Sequence, residues 1–186
     1  RGCPYRCTYC NSPMQVALAK KSKQGKFLRR TNIHEIREGI GTDQRIGKSF
    51  LYAGLGFGGS CFPKDVKALI QKQKELGMEP ELLTKTISIN NQQIDYFIDN
   101  IKDNLGLDLG NKVMTIWGLS FKPNTDDIRG SLALKLIYKL TPLVKSLNLY
   151  DPVCMKSVKE DLKDLKKISF IKDKYEALEG SNALII

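Results

Sequence analysis

A small helical domain followed by a partly complete, Rossmann-like parallel α/β domain is the fold class that the sequence predicts, and three observations predict it. Residues 31–106 carry apolar side chains at helical spacing, whereas residues 107–186 alternate short apolar runs with helical stretches. Prolines and glycines fall at the joints between these pieces. The chain's 186 residues suit one ordinary domain or two small ones, and 41% hydrophobic with 8% aromatic residues is the composition of a folded chain.

Thr31 is placed to cap a short helix through Glu38, and a glycine-rich loop runs from Gly54 to Gly59. Pro63 sits in a first helical turn, where its missing N–H costs nothing, and Val66, Leu69 and Ile70 mark one face of a helix to Leu76 that Gly77 ends. Pro80 opens a second helix in the same way. Leu82, Leu83, Thr86, Ile87, Ile94, Phe97, Ile98 and Ile101 keep a period of about 3.6 residues out to Leu105 and Gly106. Beyond Gly110 the period changes. Val113 to Trp117 reads as a buried strand ending at Gly118, Ser131 starts a helix with the stripe Leu132, Leu136, Ile137 and Leu140, and Leu147 to Tyr150 is a second strand. Ile168 to Ile171 and Ala183 to Ile186 are strand-sized runs flanking a helical stretch from Lys174 to Leu178. Right-handed crossovers between such strands predict a parallel sheet in the order 3-2-1-4, with the first strand inside it.

Thirty Lys and Arg against 20 Asp and Glu give a net charge of +10, which by itself invites a nucleic-acid reading. Position removes it. Residues 1–30 hold eight of the bases and no acid, leaving 22 bases and 20 acids for residues 31–186, so the basic excess belongs to one short segment and no nucleic-acid partner is expected. No run reaches the ~18 apolar residues of a membrane span, and no charged-then-apolar leader opens the chain, so a cytoplasmic protein without a membrane partner is expected.

Five cysteines, three of them within Cys3, Cys7 and Cys10, do not form the even spread of a disulfide framework, and reduced thiols are the better reading. The one histidine, His34, rules out a multi-histidine zinc site and reads as an ordinary residue on a helix surface.

The loop Gly54-Leu-Gly-Phe-Gly-Gly59 formally matches G-x-G-x-x-G. As a dinucleotide fingerprint it fails, because the preceding Arg45 to Tyr52 run is a weak strand and the element after the next helix is another helix. Its continuation, Ser60-Cys61-Phe-Pro-Lys64-Asp65, puts a thiol at a helix start beside a lysine and a carboxylate. The helix dipole and Lys64 would both favour the Cys61 thiolate, giving a nucleophile; a buried structural cysteine is the other reading.

Residues 31–186 resemble the nucleotide-sugar dehydrogenases of the UDP-glucose/GDP-mannose dehydrogenase family. The resemblance rests on Glu38-Gly-Ile-Gly41, Asp43-Gln-Arg-Ile-Gly47, Gly56-Phe-Gly-Gly-Ser-Cys-Phe-Pro-Lys-Asp-Val66, Trp117-Gly-Leu-Ser-Phe-Lys-Pro-Asn-Thr-Asp-Asp-Ile-Arg129 and Tyr150-Asp-Pro152. It implies an enzyme that oxidises a sugar C6 alcohol to a carboxylate with two NAD and one water, through a thioester on Cys61. Lys64 and Asp65 would then help to activate water and to stabilise charge on the reacting oxygen. The resemblance also puts Arg45, the backbone of Phe50 and Leu51, Gly58, Phe121 and Lys122 on the nucleotide sugar, Arg45 from the partner in a homodimer, and Arg129 on NAD. The motifs favour UDP-glucose over GDP-mannose or UDP-N-acetylmannosamine. Gly130 stands where the family usually has an acid.

Residues 1–30 have a separate resemblance. Cys3-Pro-Tyr-Arg-Cys7-Thr-Tyr-Cys10 resembles the start of a radical SAM enzyme, where C-x₃-C-x₂-C holds three irons of a [4Fe–4S] cluster and leaves the fourth for S-adenosylmethionine. Three free thiols in a basic tail are the competing reading. Two functions follow: a piece of a nucleotide-sugar dehydrogenase carrying the thiol and the UDP-binding region (31–106 and 107–186), inactive by itself; or an iron–sulfur segment (1–30) fused to a non-catalytic UDP-sugar-binding module.

Overall fold

The computed structural model describes residues 33–43, 47–48 and 54–186. The Cys3, Cys7 and Cys10 group, Arg45, Phe50 and Leu51 lie outside the described residues, as does most of the weak strand before Gly54. The chain divides into two compact units, Arg1–Ala53 and Gly54–Ile186. In the first, helix α1 spans Ile33–Gly41, running past the expected end at Glu38, and carries His34 exposed on its surface.

The second unit opens with the helices α2 (Phe62–Glu75) and α3 (Glu81–Leu105), close to their predicted extents. Pro63 lies in the first turn of α2 and Pro80 is the N-cap of α3, where neither proline removes an intrahelical bond. Then follow β1 (Val113–Trp117), α4 (Leu132–Leu140), β2 (Ser146–Tyr150), α5 (Met155–Asp161), β3 (Ile168–Phe170), a 3₁₀ turn (Glu176–Leu178) and β4 (Ala183–Ile185). All strands are parallel in the order β3-β2-β1-β4, as predicted, with Val113 opposite Ser146 and Met114 opposite Ala183.

One apolar core joins the sheet to both helical layers. Met114 and Ile116 of β1 and Leu147 and Leu149 of β2 are fully buried against Leu136, Ile137 and Leu140 of α4, and Ile94 and Ile98 bring α3 into the same cluster. Each such side chain contributes about 1.5–3 kcal/mol by leaving water. Ser131 caps α4 by accepting the Leu134 N–H at 3.3 Å. On the other side of β1, Thr115 is buried and donates to the Ala177 carbonyl, which ties the 3₁₀ turn to the sheet.

Two elements differ from the sequence reading. The expected helix from Lys174 to Leu178 is a single 3₁₀ turn whose first amides, those of Tyr175 and Glu176, donate to Asp173 at 2.7 and 3.0 Å. A stretch this short does not repay helix nucleation. Helix α5 was not predicted, since Met155, Val158 and Leu162 alone are too few apolar positions to announce it. Tertiary contacts form it: Val158 and Leu162 are buried in the core. Among the described residues no helix is long and apolar enough to cross a membrane.

Candidate active site

The strand order reverses beside β1, and in open parallel sheets ligands bind at such a point, beyond the carboxyl ends of the strands. The segment leaving β1 there, Gly118 to Gly130, carries Phe121, Lys122 and Arg129. Asp151, just past β2, sets its course: one carboxylate oxygen accepts the Leu119 N–H at 2.9 Å, and the other accepts the N–H groups of Val153 at 2.7 Å and Cys154 at 2.9 Å. Burial would raise the Asp151 carboxyl, but the amides of Cys154, Leu119 and Val153 outweigh it and hold the group below its ordinary value. Burial, followed by the neighbouring Asp151 charge, pushes the Cys154 thiol up to about 12. Cys154 is therefore an inert core thiol.

Cys61 is the opposite case. It is exposed, it occupies the N-cap position of α2, and its Sγ lies 3.8 Å from the Ser60 hydroxyl. The reading of a buried structural cysteine is excluded. Lys64 and Asp65 stand in the first turn of α2 and pair with each other at 2.6 Å, both largely exposed. That hydrogen bond is the main cause of the raised Lys64 pKa, with the Asp65 charge and, more weakly, Cys61 acting in the same direction.

The thiol loop leans on the segment after β1. The Gly59 N–H donates to the Gly130 carbonyl at 3.1 Å, and a side chain at Gly59 would strike the Phe121 ring at 2.8 Å. Gly130 has φ +65, and a Cβ there would meet the Gly59 backbone at 2.7–3.1 Å. A Cβ on Gly58 would fall on the Gly130 carbonyl oxygen and 3.2 Å from the Leu132 side chain. The close approach these glycines permit is therefore to the chain's own backbone and aromatic ring. Gly130, where the resemblance implies an acid, is one of the points at which the two loops meet.

Lys122 lies over the Phe121 ring with its Nζ 5.2 Å from the centroid, and Arg129 donates from Nε and Nη2 to the two oxygens of Asp127 at 2.9 and 2.7 Å. The Arg129 side chain, then its backbone N–H, hold the Asp127 carboxyl down at about 2. The Asp127 bond and charge raise the Arg129 pKa, and Cys61 adds to this from across the loop contact. Of the residues predicted for the site, the structure thus gathers Gly58, Cys61, Lys64, Asp65, Phe121, Lys122 and Arg129 into one neighbourhood. Lys64 and Arg129 are the two cations in it whose electrostatics reach the exposed thiol.

The sequence reading missed two residues. One is Asp151, which was read only as part of a motif. The other is Asn90 of α3, whose carboxamide oxygen accepts the Phe57 N–H at 2.7 Å while its nitrogen donates to the Phe57 carbonyl at 2.9 Å. A signal for it exists. Leu83, Ile87, Asn90, Ile94, Ile98 and Ile101 follow one another at three- and four-residue steps, so Asn90 is the polar member of an otherwise apolar stripe.

The Gly54–Gly59 loop does not have the strand–loop–helix–strand setting of a dinucleotide fingerprint: it leads into α2, and α2 is followed by another helix. Arg129, the residue expected on NAD, pairs with Asp127 and keeps most of its side chain exposed. Among the described residues no group of three or more His, Cys, Asp or Glu is arranged to hold a metal ion.

Comparison with known proteins matches residues 15–92 to the central domain of the UDP-glucose/GDP-mannose dehydrogenase family and residues 115–186 to that family's UDP binding domain. The first match begins inside the basic segment 1–30, ahead of the boundary expected at residue 31. UDP-glucose 6-dehydrogenase TuaD of Bacillus subtilis is 36% identical over 155 residues, covering 83% of this chain and 33% of that protein. UDP-glucose 6-dehydrogenase AglM of Haloferax volcanii is 40% identical over 152 residues, covering 82% and 34%. The chain spans about a third of the length of these relatives. Among solved structures, a UDP-glucose dehydrogenase from Pyrobaculum islandicum superposes with a TM-score of 0.72 at 28% identity, covering 92% of this chain and 39% of its own. A GDP-mannose dehydrogenase from Pseudomonas aeruginosa gives 0.64 at 26% identity, covering 81% and 36%.

Proposed function

From the premise that this chain belongs to the UDP-glucose/GDP-mannose dehydrogenase family, we propose that it supplies the nucleophile and the UDP-sugar-binding half of a nucleotide-sugar dehydrogenase site, with UDP-glucose as the substrate. The observation that carries this reading is the docking of the thiol loop on the Phe121–Gly130 segment, which brings the loop of an exposed thiol against the segment that carries Phe121, Lys122 and Arg129. Cationic groups around a thiol suit an anionic diphosphate substrate and the negative charge that develops on its reacting oxygen.

In this reading Lys122 and the Phe121 ring hold the nucleotide end of the substrate. Cys61 Sγ adds to the carbonyl carbon of the C6 aldehyde, forming a carbon–sulfur bond while the carbonyl oxygen takes up a proton. Lys64 and Asp65 steady that oxygen and position the water that later releases the carboxylate and returns the thiol. NAD would supply the hydride acceptor of the oxidation steps. No hydride step is assigned to the described residues. The 186 residues by themselves are therefore expected to bind UDP-glucose weakly without oxidising it, since holding the nicotinamide against the sugar is worth on the order of 7–11 kcal/mol of the barrier. A homodimer and a cytoplasmic location belong to the same reading.

Isothermal titration of the purified chain with UDP-glucose and with UDP tests it. Saturable binding to both, lost in Lys122→Ala and kept in Cys61→Ser, is expected. Absence of binding, or binding indifferent to Lys122, refutes the proposal.

A further inference from the structure

Four of the six residues from Gly54 to Gly59 are glycines, so this loop has more backbone freedom to lose on folding than any other stretch of its length in the chain. Its ordering has to come from outside. Asn90 supplies it: the carboxamide of a half-buried residue on a long helix satisfies both backbone groups of Phe57, 33 positions away in sequence. The pairing is complementary in one sense only, since a flipped amide would set its NH₂ against the Phe57 N–H. Gly56 makes room for it, because a Cβ there, at φ +108, would lie 3.2 Å from Asn90 Cγ and closer still to its oxygen. From Phe57 the constraint passes to the thiol: the Phe57 ring meets the Phe62 ring edge-on at 4.7 Å between centroids, and Phe62 is the first residue of α2, next to Cys61.

We propose that Asn90 is a positioning residue of the site: it fixes the glycine loop to α3 and so determines where Cys61 stands at the start of α2. The proposal rests on the reading of Cys61 as the nucleophile, but the placement it describes is measurable without turnover. Asparagine is a poor choice for the interior of a helix, and alanine at this position would favour α3. Any loosening in Asn90→Ala is thus a loss to the loop.

Amide hydrogen exchange of the whole chain, resolved residue by residue, tests it. Asn90→Ala is expected to speed exchange about tenfold, equivalent to about 1.4 kcal/mol, at Phe57, at Gly59, whose N–H is bonded to Gly130, and at Asp65, whose N–H closes the first turn of α2 on the Cys61 carbonyl. Thr84 in α3 and Leu147 in the sheet, both with bonded amides, should not change. Asn90→Asp, which keeps the acceptor for Phe57 N–H but sets a carboxylate against the Phe57 carbonyl, should give the same pattern. Acceleration confined to Phe57 overturns the proposal, and so does equal acceleration at Thr84 and Leu147. Should Asn90→Ala not fold, Gly56→Ala approaches the same contact from the loop side and has to meet the same criteria. Failure of UDP-glucose binding in the unmodified chain would remove the nucleotide-sugar reading and leave this exchange pattern standing; failure of the pattern leaves the binding result untouched.

Discussion

Replacing Asp151 by asparagine removes a single charge from a buried position where three backbone N–H groups converge. The isosteric amide can keep one oxygen, but its NH₂ must then face an N–H. In the better rotamer the oxygen retains Val153 and Cys154, and the Leu119 amide is left against another donor. A hydrogen bond to a charged acceptor contributes about 1.5–3 kcal/mol, and the two retained bonds fall to the neutral range of about 0.5–1.5 kcal/mol. The sum of these losses is at least about 3 kcal/mol, or a fall in melting temperature of roughly 6–12 °C at 2–4 °C per kcal/mol for a chain of this size. Urea and thermal unfolding followed by circular dichroism measure it. The pH dependence is a second check. Because Asp151 is held below its ordinary value in the folded chain, its stabilisation is fully present above the unfolded carboxyl's value of about 4 and is lost as the pH falls through the folded value. The gap between wild type and Asp151→Asn should therefore be constant from neutral pH down to about 4 and close below it. A loss under about 1 kcal/mol, set against these hydrogen-bond values, or a gap that narrows between pH 7 and 5, would refute the argument that this carboxylate holds the loop after β1.

Gly130→Ala forces a side chain into φ +65 and onto the Gly59 backbone, and should cost about 2 kcal/mol, seen as a lower urea midpoint. Iodoacetamide at neutral pH followed by peptide mass spectrometry should label exposed Cys61 at least about a hundredfold faster than Cys154, whose access requires local opening of the core. Above the unfolded thiol's range, near pH 9, stability should fall with a slope of up to about 1.4 kcal/mol per pH unit, because Cys154 stays protonated in the folded chain up to about 12 while the unfolded chain releases its proton. Cys154→Ala, though less stable throughout, should lack that limb.

The local sequence by itself determined the elements whose signal is periodic or covalent. Val113 to Trp117 is mostly apolar because it is an interior strand, and its place in the order β3-β2-β1-β4 is that of a doubly wound α/β sheet. The helix from Glu81 to Leu105 announces itself by its stripe. The thiol, the lysine and the carboxylate at the start of α2 are neighbours in the chain, so their proximity was legible before any fold was known. Tertiary structure decided everything that depends on which distant residue supplies a partner. Asn90 reaches Phe57 across 33 positions and Asp151 reaches Leu119 across 32, and neither spacing leaves a periodic trace. The glycines at 58, 59 and 130 bring two loops into backbone contact, a pairing that the linear sequence does not announce. Helix α5 and the 3₁₀ turn at Glu176–Leu178 are the same case in secondary structure: segments too short to be stable through their own propensity take the form that the packed core and nearby carboxylates impose on them.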